Sequence, residues 1–122
     1  MMASSHDVYD DGVLRVTRTG SPLLVVIAGE IDESNYSGLV GALDMLADGH
    51  DEMHINLGGV EFCDLAGLRA IIRLAEAGGA GRDQSRPRLV LHAVPRQVLR
   101  VLQIVGWDTV PGLVIDRAWP DQ

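Results

Sequence analysis

Residues 54–74 read HINLGGVEFCDLAGLRAIIRL, and this stretch decides the fold. Its first four residues, His54 to Leu57, predict a short strand, and Gly58 and Gly59 then predict the turn of a loop. Asp64 is expected to cap a helix, because its carboxylate can accept hydrogen bonds from the free N–H groups of a first turn. The helix is indicated by apolar residues at helical spacing, which we expect to form its buried stripe: Leu65, Leu68, Ile71, Ile72 and Ala75. Gly78 is expected to end it.

The segment before this stretch predicts a β-hairpin followed by a helix. Residues 13–19 alternate in polarity, residues 23–29 are apolar on both faces, and the turn formers Gly20, Ser21 and Pro22 separate them. A strand that is apolar on both faces is typical of the centre of a sheet. A helix then begins near Tyr36, with Ser34 or Asn35 as its cap, and ends at Gly49.

The segment after it predicts two more strands and one more helix. Residues 89–93 and 113–115 are apolar strands, and Pro95 and Gly106 mark the start and end of the helix between them. The resulting order is β-β-α-β-α-β-α-β, which requires right-handed crossovers and parallel pairing. The sequence therefore predicts one layered α/β domain over residues 12–118, with a mixed, mostly parallel sheet, an N-terminal β-hairpin and helices packed on the sheet. Residues 1–11 are expected to form a flexible tail.

Composition limits the class of protein. The chain has 122 residues, 47% of them hydrophobic but only 4% aromatic, which indicates a single domain with an aliphatic core. The longest apolar run, residues 23–28, is far shorter than the ~20 residues that span a bilayer. The acidic N-terminus does not resemble a signal peptide. A single cysteine, which cannot form an internal disulfide, agrees with a reducing compartment. We therefore expect a cytoplasmic protein without direct membrane insertion.

The charge distribution argues against nucleic acid as a partner. The net charge is -7, and residues 1–64 carry twelve acidic side chains against only Arg15 and Arg18. Residues 65–122 carry eight Arg against five acids, and the chain has five aromatic residues in all. Binding to nucleic acid needs a clustered positive surface and stacking side chains, which this pattern does not provide.

The sequence predicts no metal site, no cofactor and no catalytic centre. Its four histidines, at positions 6, 50, 54 and 92, do not have the spacing of zinc ligands. Cys63 is the one candidate nucleophile, no base is evident beside it, and we expect it to be inert and largely buried. Arg69 and Arg73 lie four residues apart on the predicted helix, and form either an ordinary solvated face or a docking surface for acidic groups.

Three segments resemble the STAS domains, the anti-sigma-factor antagonists of bacteria. They are GEID at residues 29–32, INLGGVEFCDLAGLRAI at residues 55–71, and VLHAVPRQVLRVLQIVGW at residues 90–107. The similarity extends from about Val13 to Ile115. It implies a non-enzymatic protein that regulates transcription by partner switching. In that family the unphosphorylated domain binds an anti-sigma factor, often a serine kinase, and so frees the sigma factor.

The resemblance also implies where phosphorylation would occur. The family's motif is D-S-[ST]-G-L, in which phosphorylation of the hydroxyl residue ends binding. Asp64 matches the Asp, Leu65 the first hydroxyl position, Ala66 the phosphoacceptor, and Gly67 the Gly. Ala66 cannot be phosphorylated, and residues 38–84 contain no Ser, Thr or Tyr. Control by phosphorylation at the usual motif is therefore not expected.

A docking surface around this helix follows from the resemblance. Asp32 should lie near Asp64, because the carboxyl ends of parallel strands meet at one edge of the sheet. The expected partner-binding residues are Asp32, Asp64, Leu65, Ala66, Gly67, Arg69 and Arg73. The expected partner is an anti-sigma factor, either a serine kinase or another type. A second possibility is a STAS subunit of a membrane transport assembly, of the ABC or anion-transporter kind. The oligomeric state stays open.

Overall fold

The six strands of the sheet lie in the order in which they occur along the chain. The computed structural model describes residues 5–20, 23–79 and 87–116. The strands are β1 (Ser5–Asp10), β2 (Leu14–Thr19), β3 (Leu24–Ile31), β4 (Glu52–Cys63), β5 (Arg88–His92) and β6 (Leu113–Ile115). The helices are α1 (Tyr36–Ala47), α2 (Leu65–Gly79) and α3 (Arg96–Val105), with short 3-10 turns at Glu33–Asn35 and Trp107–Thr109.

The three helices cover one face of this sheet. Strands β1, β2 and β3 pair antiparallel, and β3, β4, β5 and β6 pair parallel. Each parallel connection steps to the next strand in the same direction, so right-handed crossovers place all three helices on the same side. Strand β4 shows the result, since Met53 and Ile55 are buried toward the helices whereas His54 and Asn56, on the opposite face, stay partly exposed. The predicted fold class is confirmed.

The core is aliphatic, as the composition predicts. Central strands and helices meet through Leu, Ile and Val side chains that are almost completely buried: Leu14, Ile27, Leu39, Leu43, Ile55, Leu57, Leu68, Ile71 and Leu74. Asn35 is the one polar side chain among the described residues that is buried to the same degree. This exception lies next to the candidate site described below.

The expected tail contains a sixth strand. Residues Ser5–Asp10 pair with β2, so the prediction of a loose segment over residues 1–11 is wrong for these six. The Tyr9 ring packs on α1 at Gly38, where an added Cβ atom would come 2.4 Å from the ring. Val8 and Tyr9 both contact the core. Sequence reasoning missed the strand because its other residues are polar, as suits an exposed edge strand.

Strand β4 is three times the predicted length. It continues from Glu52 through Cys63, so Gly58 and Gly59 lie within a strand rather than in a turn. The pairing with β3 slips between Val26 and Ala28, which shows a bulge at these glycines. A Cβ atom on Gly59 would lie 3.0 Å from that of Ala28. The glycines are therefore explained by close packing and a bulge.

Most other predicted boundaries agree with the structure within two residues. α3 follows Pro95, and Gly106 ends it in the left-handed conformation at φ 80°. α2 ends at Gly79, one residue after the predicted end. Leu65 is predicted in the buried stripe of α2 but is 48% exposed, because the helix contacts β3 through Gly67 and buries its apolar face only from Leu68 onward. The predicted turn residues Ser21 and Pro22 lie outside the described residues.

Candidate functional site

Asp32 and Asp64 lie side by side where β3 and β4 end. The last pair of the β3–β4 ladder joins Ile31 to Cys63, so the two aspartates follow at the same level. The backbone N–H of Asp64 also donates to the carbonyl of Ile31, with 3.0 Å between nitrogen and oxygen. We call this end of the sheet, together with the first turn of α2, the carboxyl edge; it comprises residues 30–34 and 61–69. The predicted proximity of the two aspartates is confirmed.

Asp64 caps α2 as the sequence predicts. Its Oδ1 accepts from the N–H of Gly67 at 2.7 Å, and its carbonyl accepts from the N–H of Leu68 at 3.0 Å. One carboxylate oxygen thereby satisfies one of the free N–H groups of the first turn. The negative charge also lies at the positive end of the helix dipole. The side chain holds α2 in place and remains partly exposed.

Gly67 lies directly against β3. A Cβ atom at this position would come 2.5 Å from Cγ2 of Ile31 and 2.9 Å from the backbone nitrogen of Asp32. These distances are below the normal contact of non-bonded atoms, and one of the opposing atoms belongs to the backbone. The close approach explains why a glycine is needed three residues after the capping aspartate.

Asp32 caps the 3-10 turn that leads into α1. Its Oδ1 accepts from the backbone N–H of Ser34 at 2.9 Å and from the Ser34 hydroxyl at 2.5 Å. Its own N–H donates to Oδ1 of Asn35 at 3.0 Å, and Nδ2 of Asn35 donates to the carbonyl of Glu30 at 2.9 Å. Ser34 and Asn35 were expected to cap α1, but neither side chain does so. The cap lies one turn earlier, at Asp32, and Asn35 completes it from a buried position.

Two exposed apolar side chains adjoin these aspartates. Phe62 is 49% exposed and Leu65 is 48% exposed, one on each side of Cys63 and Asp64. Exposed acidic residues surround them at Glu30, Glu33 and Glu61. Phe62 is not among the site residues predicted from the sequence. Its position between the acidic Glu61 and the helix cap is the signal that could have identified it. The carboxyl edge is therefore a small apolar surface that is bordered by acidic side chains.

The two arginines of α2 differ in their surroundings. Arg69 is exposed, one turn from Leu65. Arg73 is partly buried, and its Nη1 lies 3.2 Å from Oδ1 of Asp44 on α1. That ion pair joins the two helices across their packing interface. Arg69 is therefore the arginine that lies open to a partner at the carboxyl edge.

Ala66 is partly buried in the first turn of α2, at the position that the resemblance assigns to the phosphoacceptor. It has no hydroxyl group. In the sequence the nearest hydroxyl residues before it are Ser37, Tyr36 and Ser34, all near the start of α1, and the two serines are exposed. Ser34 belongs to the same edge, with its hydroxyl bonded to Asp32.

Cys63 is half-buried, where the sequence predicts it to be largely buried. Desolvation, and secondarily the negative charge of Asp64, raises the pKa of its thiol to about 12. Its Sγ lies 3.6 Å from the carbonyl oxygen of Asp64. Because the thiolate is the reactive form, this environment suppresses reactivity at neutral pH.

No group of three or more His, Cys, Asp or Glu side chains within residues 5–20, 23–79 and 87–116 could hold a metal ion. In the same part of the chain, no helix is both long and apolar enough to cross a membrane.

Comparison with known proteins identifies the family. The family model described as "Mlab, STAS domain" matches residues 14–115. This chain belongs to the STAS-domain family. No protein of curated function matches it. Among solved structures, it is similar to an anti-sigma factor antagonist from Mycobacterium paratuberculosis, with 22% identity and a TM-score of 0.60, covering 93% of this chain and 86% of the other.

A second solved structure is more distant. It is an uncharacterized protein of the DUF3478 family from Shewanella loihica, described as having a SpoIIAA-like fold. Its identity to this STAS domain is 11% and the TM-score is 0.47, with 96% of this chain and 89% of the other covered. That likeness is too low to support an inference.

Proposed function

We propose that this STAS-domain protein is an anti-sigma-factor antagonist, a non-enzymatic protein of the cytoplasm that regulates transcription by binding an anti-sigma factor. One observation carries the proposal. The STAS motif residues Asp64 and Gly67 fix a helix start whose neighbours Phe62 and Leu65 are exposed apolar side chains. The antagonist from Mycobacterium paratuberculosis shares the fold.

The carboxyl edge has the chemistry of a protein-binding surface. Large apolar side chains at the centre of an interface supply most of the binding energy, and polar groups around them exclude water and select the partner. Phe62 and Leu65 form such a centre, with the exposed Glu30, Glu33 and Glu61 around them. These acidic side chains favour a partner that has basic side chains at the matching positions.

Binding through this edge does not depend on phosphorylation at the family's usual motif. Ala66 offers no atom to which a phosphoryl group can be transferred. Arg69 adds a cation beside the acidic groups and can pair with an acidic residue of the partner. The proposed contact set is Asp32, Asp64, Leu65, Ala66 and Arg69, with Phe62 added. Gly67 and Arg73 support this surface from within the fold, because Gly67 packs on β3 and Arg73 pairs with Asp44.

The first experiment identifies the partner. The full chain is used for affinity capture from its native organism, and the captured proteins are identified by mass spectrometry. An anti-sigma factor, kinase-like or not, supports the proposal. Capture of a membrane transport ATPase instead would favour a STAS subunit of a transport assembly, which no present observation favours.

The second experiment tests the surface. Leu65→Ala should weaken binding to the captured partner by about tenfold, as expected for a central apolar contact. Met45→Ala is the matched control, because Met45 is 62% exposed on α1 and lies near the opposite end of the domain. Equal affinities for wild type and Leu65→Ala, with circular dichroism unchanged, would contradict docking through the carboxyl edge.

A further inference from the structure

Helix α3 has an exposed face that combines positive charge with an apolar side chain. Its opposite side, with Val98 and Leu102, is buried in the core. Arg96, Arg100 and Ile104 follow one another at intervals of four residues and therefore lie together on the outer side. All three are exposed, and Ile104, at 75%, is the most exposed large apolar side chain in the described part of the chain.

Folding does not explain the two arginines of this face. Arg96 lies in the first turn of α3, where the positive end of the helix dipole disfavours a cation. No acidic residue occurs in residues 96–105, so none offsets this charge within the helix. Neither guanidinium forms an ion pair with another described residue. The exposed face of α3 thus has no partner in the part of the chain that the structure describes.

The carboxyl edge has the complementary character. Its exposed apolar side chains Phe62 and Leu65 are bordered by the exposed Glu30, Glu33 and Glu61. None of these three glutamates forms an ion pair with another described residue. Apolar contacts bordered by opposite charges are typical of two surfaces that bind each other. One chain therefore carries both halves of such a contact.

The two surfaces of one molecule are directed apart. Right-handed crossovers place α3 over β5 and β6, whereas the carboxyl edge lies at the ends of β3 and β4. Because α3 starts after β5 and runs back toward the start of the parallel strand β6, its far end points away from that edge. Ile104 lies about 12 Å along the helix from Arg96. Contact between the two surfaces therefore needs a second copy of the chain.

We propose that the carboxyl edge of one copy docks on the exposed face of α3 of a second copy. Ile104 packs against Phe62 and Leu65, and the two arginines pair with the glutamates that border them. The apolar centre is small, so the association is weak and depends on concentration. Its regulatory consequence rests on the proposed function: where an anti-sigma factor binds the same edge, self-association competes with it.

Sedimentation velocity of the full chain tests the docking without any partner protein, so its result does not depend on the proposed function. The wild type should associate increasingly as the concentration rises from about 10 μM to about 1 mM, the range of a weak complex. Association should be weaker in about 0.5 M salt than in about 0.05 M salt, because salt screens the charges. A chain that stays monomeric at about 1 mM, or that associates equally at both salt concentrations, would overturn the proposal.

Charge reversal locates the contact. Arg100→Glu and Glu33→Arg should each weaken self-association about tenfold, because each brings like charges together. A 1:1 mixture of the two variants should associate again, since the unchanged carboxyl edge of the first can meet the unchanged α3 of the second. If mixing restores no association, the two surfaces do not pair.

Arg88→Glu and Glu76→Arg are the matched controls, because they make the same changes of charge at exposed positions outside both surfaces. Arg88 lies on the sheet face opposite to the helices, and its 3.8 Å contact with Glu52 is exposed and contributes little. Glu76 lies about three turns along α2 from Leu65. Both controls should associate like the wild type. A control that weakens association as much as its matched variant would show a general effect of net charge and overturn the proposal.

The apolar part of the contact has its own test. Ile104→Gln should weaken self-association about tenfold, as expected for a central apolar contact. The substitution should leave the fold intact, which circular dichroism checks, because the side chain is 75% exposed. Leu65→Ala should have the same effect from the other surface, and Met45→Ala should have none. Association of Ile104→Gln at the strength of the wild type would contradict the proposal.

Discussion

Gly67 of α2 rests on Ile31 of β3 so closely that a Cβ atom at position 67 would come 2.5 Å from Cγ2 of Ile31. Two further bonds hold the same junction, from Asp64 N–H to the Ile31 carbonyl and from Gly67 N–H to the Asp64 carboxylate. The start of α2 is thereby fixed with respect to the end of β3. Leu65 and Ala66, between these two anchors, are presented at a defined position on the carboxyl edge.

Gly67→Ala should destabilise the fold by about 1–3 kcal/mol, because the new methyl group meets a backbone nitrogen that cannot move cheaply. Gly41→Ala is the matched control, since within the described part of the chain no atom other than the neighbouring backbone of α1 lies within 4 Å of its Cβ position. There the change should stabilise the protein by about 0.5–1 kcal/mol through helix propensity. Urea unfolding measures both, and a stabilising effect at both positions would contradict the proposed contact.

Asp64→Ala should lower the free energy of unfolding by about 1 kcal/mol, the usual cost of losing a helix cap. Asp64→Asn keeps an oxygen that can accept from the Gly67 N–H, and loses only the attraction of the charge to the helix dipole, about 0.3–1 kcal/mol. The expected order of stability is wild type, then Asn, then Ala. Equal stability of wild type and Ala, measured in urea, would show that the cap contributes nothing.

Ala66→Glu should weaken partner binding, because the dipole's attraction for an anion is smaller than the cost of burying an unpaired charge in an interface. Ala66→Ser should leave the fold intact, since a hydroxyl in a first turn can bond to solvent or backbone. Ala77→Glu serves as control, about three turns further along the same helix. Binding titrations with the captured partner compare the four proteins.

The companion measurement concerns phosphorylation. Wild-type chain is incubated with the captured partner and ATP and then analysed by mass spectrometry. We expect no stoichiometric phosphate. A phosphate that abolishes binding, whether at Ser34 or elsewhere, would overturn the proposal of binding that is independent of phosphorylation.

Cys63 should make the fold less stable at alkaline pH. Its pKa is raised from 9.0 to about 12, so the folded chain keeps a proton that the unfolded chain loses. The resulting stability is fully present below about pH 9 and is lost as the pH rises toward 12. Near pH 10 the wild type should have lost about 1 kcal/mol relative to neutral pH, after allowance for partial exposure.

Cys63→Ala lacks this titration, so its stability should fall less over the same range. Urea unfolding of both proteins at neutral pH and near pH 10 measures the difference. Rapid modification of the native thiol by a reagent at neutral pH would contradict the raised pKa, because only the thiolate reacts quickly.

The sequence predicted those parts of the site that depend on local chemistry. The Asp64 cap follows from an aspartate placed before apolar residues at helical spacing, and the proximity of Asp32 follows from parallel strand ends. The exposure of Phe62 and Leu65 could not be predicted in this way. A large apolar residue is normally buried, and which apolar residues at the junction of β4 and α2 are covered is decided only when α2 packs on β3 through Gly67.

The aliphatic composition, the helical periodicities and the Asp, Pro and Gly signals at helix ends determined by themselves an α/β domain with three helices on a mostly parallel sheet. These signals depend on the backbone and side chains of a few neighbouring residues. The tertiary structure decided what depends on residues far apart in the chain. It placed Tyr9 against Gly38 and so made an edge strand of a polar segment. It also extended β4 through Gly58, which packs beside Ala93, and Gly59, which packs on Ala28 of β3, and it brought His54 and His92 together from positions 38 residues apart. Packing between distant segments has no local signature, because the partner that satisfies each group is set only when the sheet is assembled.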